Sequence, residues 1–283
     1  MKTCVITGAT NGIGYETAKA LAKEGYAICI VGRSQSKCQN TVKSISELTG
    51  NKNISYVLAD LGLVSSTRKA AQEIAKKFPI IDVLVNNAGI STDRYQQTAE
   101  GIEIVYATNH LSQVIMTLEL LPNIKKSADG RIVNVSSRLH EFAKYNSSNP
   151  MLKNESNYVL KSYNQSKLLN VMMTMEFSER EKENKNLSIT ALHPGSVNTG
   201  IGREIKNPIL SFLFKQVNRF TLSPEEGAQT TIYLALAPEI KGVKGKYYVK
   251  KREAKVNPQA LDANLRKQAW SYSMQVIESV RSQ

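Results

Sequence analysis

Apolar positions along the chain fall into short, nearly unbroken runs, separated by longer stretches in which they recur every three or four residues. The runs are "TCVITG" (3–8), "AICIVGR" (27–33), "ISYVLAD" (54–60), "DVLVNNAG" (82–89), "RIVNVSS" (131–137), "SITALHPG" (188–195) and "GKYYVKK" (245–251). They are rich in β-branched residues and do not alternate, the pattern of parallel strands covered by helices on both faces. Helical periodicity between them predicts segments near 13–25, 36–49, 65–78, 98–122, 163–185 and 224–237. Such sustained alternation predicts an α/β protein: a doubly wound, mostly parallel seven-stranded sheet with helices on both faces. Right-handed crossovers would bring every strand's C-terminal end to one edge of the sheet, where ligands bind.

Two segments break the alternation. Residues 200–222, "GIGREIKNPILSFLFKQVNRFTL", follow the sixth strand as an apolar, partly helical stretch. Residues 252–283 form a basic, helix-rich extension beyond the main unit of residues 1–251. No internal repeat is present.

Composition narrows the class. Lys and Arg number 37 against 24 Asp and Glu, a formal charge of +13. A basic surface of this kind attracts anions, nucleotide cofactors and acidic lipid among them. Zinc-finger spacing, RNA-binding aromatic motifs and heptad basic regions are all missing, so nucleic acid is not an expected partner. Three cysteines, Cys4, Cys29 and Cys38, form no CxxC or metal-ligand pattern. Their odd number without a framework suits a reducing compartment. The first strand opens near residue 3, so no signal peptide is expected, and no apolar run approaches the ~18 residues of a spanning helix. A cytoplasmic protein is expected.

"TGATNGIG" ends the first strand and opens the first helix, the context that a phosphate-binding turn needs. Gly8, Gly12 and Gly14 permit tight backbone geometry and close ligand approach. Thr10, Asn11 and Ile13 share the turn, and the helix N-terminus offers free N–H groups to a pyrophosphate. A second pattern is "SYNQSK" at 162–167, in which Tyr163 and Lys167 leave one helix face. Spacing alone does not separate a solvated surface pair from a proton donor beside its activating cation.

Taken in order, TGxxxGxG at 7–14, NNAG at 86–89, Ser137, YxxxK at 163–167 and PG at 194–195 resemble the short-chain dehydrogenase/reductase family over residues ~3–250. "RIVNVSS" and "EEGAQTTIYLALAPE" (225–239) look like its retinol-dehydrogenase-like branch. The resemblance implies a Rossmann fold and a catalytic role for Asn109, Ser137, Tyr163 and Lys167. Tyr163 would exchange a proton with the substrate oxygen. A phenol of pKa near ~10 is a poor base, and a positive charge on Lys167 would stabilise its anion. Lys167 would also hold the nicotinamide ribose. Ser137 would hydrogen-bond the carbonyl oxygen, while Ser136 satisfies local backbone groups. Asn109 is either a satisfied structural asparagine or, on the family reading, the centre of a helix distortion that positions a water linking Lys167 to solvent.

The cofactor can be narrowed at the end of the second strand. Folds that prefer NAD usually place an acidic residue there, but this chain has Gly32, Arg33 and Ser34. Arginine can pair with a 2′-phosphate, so NADP(H) is expected, held partly by Arg33. By the resemblance, Asp60 and Leu61 match the adenine pocket, and Asn87, Ala88 and Gly89 the adenosine side. Pro194, Gly195, Val197 and Thr199 match the loop around the nicotinamide. His110, His140 and His193 lack metal-ligand spacing, and no metal is expected. His110 reads as a helix residue, His193 as strand-end packing, and His140 as a candidate for the cavity lining.

Family members carry a substrate-covering lid where 200–222 stands. Ile209, Leu210, Phe212, Leu213, Phe214, Val217 and Phe220 make this segment apolar. It reads as a lid over a hydrophobic substrate, as a core helix, or as a peripheral contact of 207–220 with an anionic membrane. The expected activity is NADP(H)-dependent interconversion of a hydrophobic carbonyl compound and its alcohol. The alternative is an NADP(H)-binding regulator without turnover, and a homodimer is the family's common assembly.

Overall fold

The computed structural model describes residues 1–195 and 222–281. Val197, Thr199 and the 200–221 part of the lid segment lie outside the described residues. β1 (Thr3–Thr7), β2 (Ala27–Gly32), β3 (Ile54–Leu58), β4 (Val83–Asn86), β5 (Gly130–Val135), β6 (Leu187–His193) and β7 (Lys244–Val249) are parallel neighbours in one sheet. The strand order is β3-β2-β1-β4-β5-β6-β7-β8, so among the described residues the sheet has one strand more than the seven expected. The addition, β8 (Arg252–Glu253), pairs antiparallel with β7. Lys250 and Lys251 make the tight connection with φ of 50° and 64°, left-handed values usually left to glycine or asparagine. A lysine-rich two-residue turn carries no such marker, which is why the sequence hid β8.

The continuous apolar runs have the predicted cause. Every residue of β1, β2, β4 and β5 is buried, because helices cover both faces. One core lies under α1 (Gly12–Lys23), α2 (Gln35–Thr49) and α7 (Pro224–Leu236). The other lies under α3 (Val64–Lys77), α5 (Ser112–Ile124) and α6 (Tyr158–Arg180). The chain reverses winding between β1 and β4, and the C-terminal ends of these adjacent strands bound the crevice expected at a topological switch point.

The segment expected to be helical over 98–122 begins later. Gln97 and Glu103 form an antiparallel bridge around a turn in which Gly101 has φ of 74°. Helix starts at α4 (Ile104–Tyr106), passes through a π-helical turn at Ala107–Leu111, and continues as α5. Glu103 caps it by accepting hydrogen bonds from the amides of Val105 and Tyr106, both at 2.7 Å. This buried carboxylate also accepts a short hydrogen bond from the Tyr158 hydroxyl at the start of α6. The two helices that carry Asn109 and Tyr163 are thereby joined at their N-termini.

The chain beyond β8 returns to the sheet domain. α8 (Pro258–Leu261) and α9 (Ala263–Arg281) contribute Ala260, Ala269, Val276 and Ile277 to the same core as α5 and α6. Trp270 meets Phe177 edge-on at 5.0 Å, and the Arg180 guanidinium lies 4.1 Å over its ring.

Candidate active site

The turn after β1 is held from behind. Asn87 donates its side-chain amide to the carbonyls of Thr7 and Gly8 at 2.9 and 3.1 Å. The Thr7 hydroxyl accepts from the amides of Asn87 and Ala88 at 3.0 and 3.1 Å. Gly8 and Gly12 take φ of 67° and 57°. A Cβ on Gly8 would lie 2.9 Å from the Ala88 Cα, so the loop after β4 presses directly on the glycine turn. Asn11 stands at the N-cap of α1 without making a side-chain cap, leaving the helix's first amides without a side-chain acceptor. Gly14 follows in the first turn, and Thr10 and Ile13 lie on either side of Gly12. A tight backbone cradle opening on free helix amides fits a pyrophosphate group.

Gly89 joins this cradle to the second cluster. A Cβ there would sit 3.3 Å from Lys167 Nζ and 3.5 Å from Asn109 Oδ1. Asn109 is fully buried within the π-helical turn. Its Oδ1 accepts from the Ile90 amide at 2.7 Å, and its Nδ2 donates to the Ile90 carbonyl and the Ser166 hydroxyl at 2.9 and 3.0 Å. The side chain is thus structurally satisfied, as one of the two sequence readings expects. The π turn is itself a helix distortion, and such turns recur at functional sites.

Lys167, only 2% exposed, donates to the Val135 carbonyl at 3.1 Å, and its Nζ lies 5.6 Å from the centre of the Tyr163 ring. Burial lowers its pKa to about 8. The Tyr163 ring keeps an intermediate exposure, yet dense packing around the phenol raises its pKa to about 12, opposed by a hydrogen bond with Ser137. The sequence led us to expect Lys167 to depress this pKa. In the protein alone, desolvation dominates and holds the phenol protonated. Ser137 caps the short 3-10 helix Arg138–Phe142 by accepting from the Leu139 amide at 3.2 Å, which leaves its own proton to be donated elsewhere. Ser136 donates to the Lys167 carbonyl at 2.7 Å, the structural role expected for it.

The remaining positions are more dispersed. Arg33 is exposed just after β2, with no carboxylate ion pair among the described residues. Asp60 accepts from the Gly62 amide at 3.0 Å, and Leu61 is buried beside it. Pro194 and Gly195 follow β6, and a Cβ on Gly195 would collide with Leu222 at 2.5 Å. His140, read as a candidate for the cavity lining, is fully buried, its ring 4.6 Å from that of Tyr247. Burial lowers the pKa of His110 to about 3 and of His193 to about 4. Among the described residues, no group of three His, Cys, Asp or Glu could hold a metal. The Glu103–Tyr158 pair was missed from sequence, since neither residue belongs to a recognisable motif.

The profile "short chain dehydrogenase" matches residues 2–209. Human retinol dehydrogenase 14 is 35% identical over 96% of this chain and 85% of its own length. A crystal structure of an uncharacterized protein from Mycobacterium paratuberculosis superposes with a TM-score of 0.77, at 27% identity over 98% of this chain and 94% of that one. A short-chain dehydrogenase from Escherichia coli CFT073, solved with NADPH, has a TM-score of 0.68 at 21% identity over 87% and 95%. With a family match across most of the sheet and relatives of this kind over nearly the whole chain, the protein belongs to the short-chain dehydrogenase/reductase family, in its retinol-dehydrogenase-like branch.

Proposed function

We propose that this oxidoreductase uses NADP(H) to interconvert a hydrophobic aldehyde or ketone and its alcohol, with Tyr163 as proton donor and acceptor. One observation carries the reading. Tyr163, Ser137 and Lys167 gather beside Gly89, one residue from the contact between Ala88 and the glycine turn.

The bound nicotinamide would supply or accept the hydride. The chain's own groups account for the proton. The raised pKa of Tyr163 keeps the phenol protonated at neutral pH, as a donor to a carbonyl oxygen must be. The Ser137 hydroxyl, which hydrogen-bonds Tyr163 in the protein alone, would turn its proton to a bound carbonyl and stabilise negative charge developing on that oxygen. The Lys167 ammonium, held close to the ring, would stabilise the phenolate that remains. These charge states suit carbonyl reduction better than alcohol oxidation, which begins from the phenolate.

Gly8, Gly12, Gly14 and the start of α1 would hold the pyrophosphate, and exposed Arg33 would pair with a 2′-phosphate. An apolar substrate is supported by large exposed side chains flanking the site residues in sequence. Leu139 and Phe142, 42% and 73% exposed, follow Ser137, and Leu160, 63% exposed, precedes Tyr163 by one turn. The relatives named retinol dehydrogenase agree with this class.

The test is a screen of hydrophobic aldehydes and ketones with NADPH, following absorbance of the reduced nicotinamide. Turnover is expected, and Tyr163→Phe should lower kcat by about 10²-fold or more while cofactor still binds. Turnover surviving in that variant would remove Tyr163 from the proton step.

A further inference from the structure

The chain beyond β8 lies outside the region matched by the family profile, which ends at residue 209. Two of its side chains are nevertheless buried against the backbone that carries the proposed site residues. We propose that Asn257 and Ser273 are positioning residues: the C-terminal segment acts as a brace that fixes the turn of Ser137 and the π-helical turn of Asn109.

Asn257 works on the first turn. Its Nδ2 donates to the carbonyls of Ala143, His140 and Glu141 at 2.8, 3.1 and 3.3 Å, closing the 3-10 helix that Ser137 caps. Its Oδ1 accepts from the Gln259 amide at 2.9 Å, so the whole side-chain amide is engaged. Its backbone amide points to His140 Nε2 at 3.4 Å, and His140 Nδ1 lies 2.7 Å from the Ser137 carbonyl. An amide can only donate and a carbonyl can only accept, which fixes the tautomer. Nδ1 carries the proton and holds Ser137, while Nε2 is the acceptor. The neutral imidazole therefore links Asn257 to the main chain of Ser137.

Ser273 works on the second turn. It is fully buried on α9 and donates to the Ala269 carbonyl at 2.8 Å. Its only proton is used there, so its oxygen accepts from both His110 Nε2 at 2.8 Å and the Tyr106 hydroxyl at 3.1 Å. His110 is the immediate neighbour of Asn109, and Tyr106 is the residue just before the π turn. One hydroxyl thus grips the turn from two places, and α9 is secured to α6 by Trp270 against Phe177 and Arg180.

This inference rests on the proposed carbonyl chemistry for its catalytic meaning, but the brace itself can be read without turnover. Hydrogen exchange and steady-state kinetics would be measured on the full chain and on Asn257→Ala, Ser273→Ala and Ser273→Thr. Exchange of amides 139–143 is expected to speed at least about tenfold in Asn257→Ala, and that of 107–112 in Ser273→Ala, with α1 amides unchanged. With carbonyl substrate, kcat should fall at least about tenfold in both alanine variants. NADPH should bind within about threefold of wild type, and Ser273→Thr, which keeps the hydroxyl, should recover most of the loss. Unchanged exchange in these turns would overturn the brace whatever the activity. So would a parallel loss of kcat, cofactor affinity and Tm with no rescue by threonine, the signature of general unfolding. If the wild type turned over no carbonyl while the local exchange changes appeared, the brace would stand and the proposed chemistry would fall.

Discussion

The side-chain amide of Asn87 rests against Gly14 so closely that a Cβ there would lie 2.6 Å from its Nδ2 and 2.6 Å from the Gly8 carbonyl. Because the glycine turn is seated on the strand loop that leads to Gly89, its shape and the site beside it are one construction. Gly14→Ala must displace Asn87 or the turn. NADPH affinity is expected to drop at least about tenfold, some 1.4 kcal/mol, in a fluorescence titration. An affinity equal to wild type would show that the turn does not hold the cofactor.

Lys167 should set the pH dependence of the proposed reaction. Burial lowers its pKa to about 8, so the ammonium is present at pH 7 and disappears as pH rises through that value. Tyr163, raised to about 12, stays protonated throughout. Carbonyl reduction should therefore be level near neutrality and fall above about pH 8; a rate unchanged to pH 10 would exclude the role of the ammonium. The same shift has a stability consequence with a definite sign. The folded pKa lies below the ordinary 10.5, so the unfolded chain binds more protons between about pH 8 and 10.5, and stability rises with pH over that window. The burial cost below it is about 3 kcal/mol, offset by about 1 from the bond to Val135. Lys167→Met should thus be inactive yet more stable at pH 7 by about 2 kcal/mol, as read by urea unfolding.

Arg33 should decide between the two nicotinamide cofactors. Arg33→Asp is expected to weaken NADPH at least about tenfold while leaving NADH unchanged or tighter, because the carboxylate repels a 2′-phosphate and can accept from a 2′-hydroxyl. Equal losses for both cofactors would assign the arginine elsewhere.

Glu103 is a stability determinant outside the proton chemistry. Replacing it with alanine strands the amides of Val105 and Tyr106 and the hydroxyl of Tyr158. With each unmade buried bond costing about 1–3 kcal/mol, a loss of about 3 kcal/mol is expected in chemical denaturation, after partial rescue by water. A loss under about 1 kcal/mol would mean that the pair does not tie the two helices together.

The strands were legible because burial on both faces leaves a continuous apolar signature, and the glycine turn, Ser137, Tyr163 and Lys167 could be singled out because each lies in a short motif, as Asn109 and Arg33 do not. The start of the fourth predicted helix was not legible. "TAEGIE" carries good helix formers, and only the left-handed Gly101 and the bridge from Gln97 to Glu103 stop the helix from beginning there. Asn257 and Ser273 were still harder to see. Their partners His140 and His110 stand 117 and 163 residues away, and a hydrogen bond across such a distance leaves no periodicity to read. The surroundings of His140 were hidden for the same reason: its closeness to Ser137 in sequence says nothing of Tyr247 and Asn257, which pack against it.

The wide turn at Ala107–Leu111 acts as a phase shifter. Upstream, the helix is indexed to Glu103; downstream, it is indexed to the sheet, where Thr117 accepts from the Asn86 side chain at 3.1 Å. Each residue advances a helix by about 100°, so one extra residue lets both ends keep their partners while Asn109 is aimed at Ile90. Rewinding this turn into a regular helix at the same length would rotate one end by about 100° away from everything it binds, whereas deleting one residue would spare both ends and lose only the aim of Asn109.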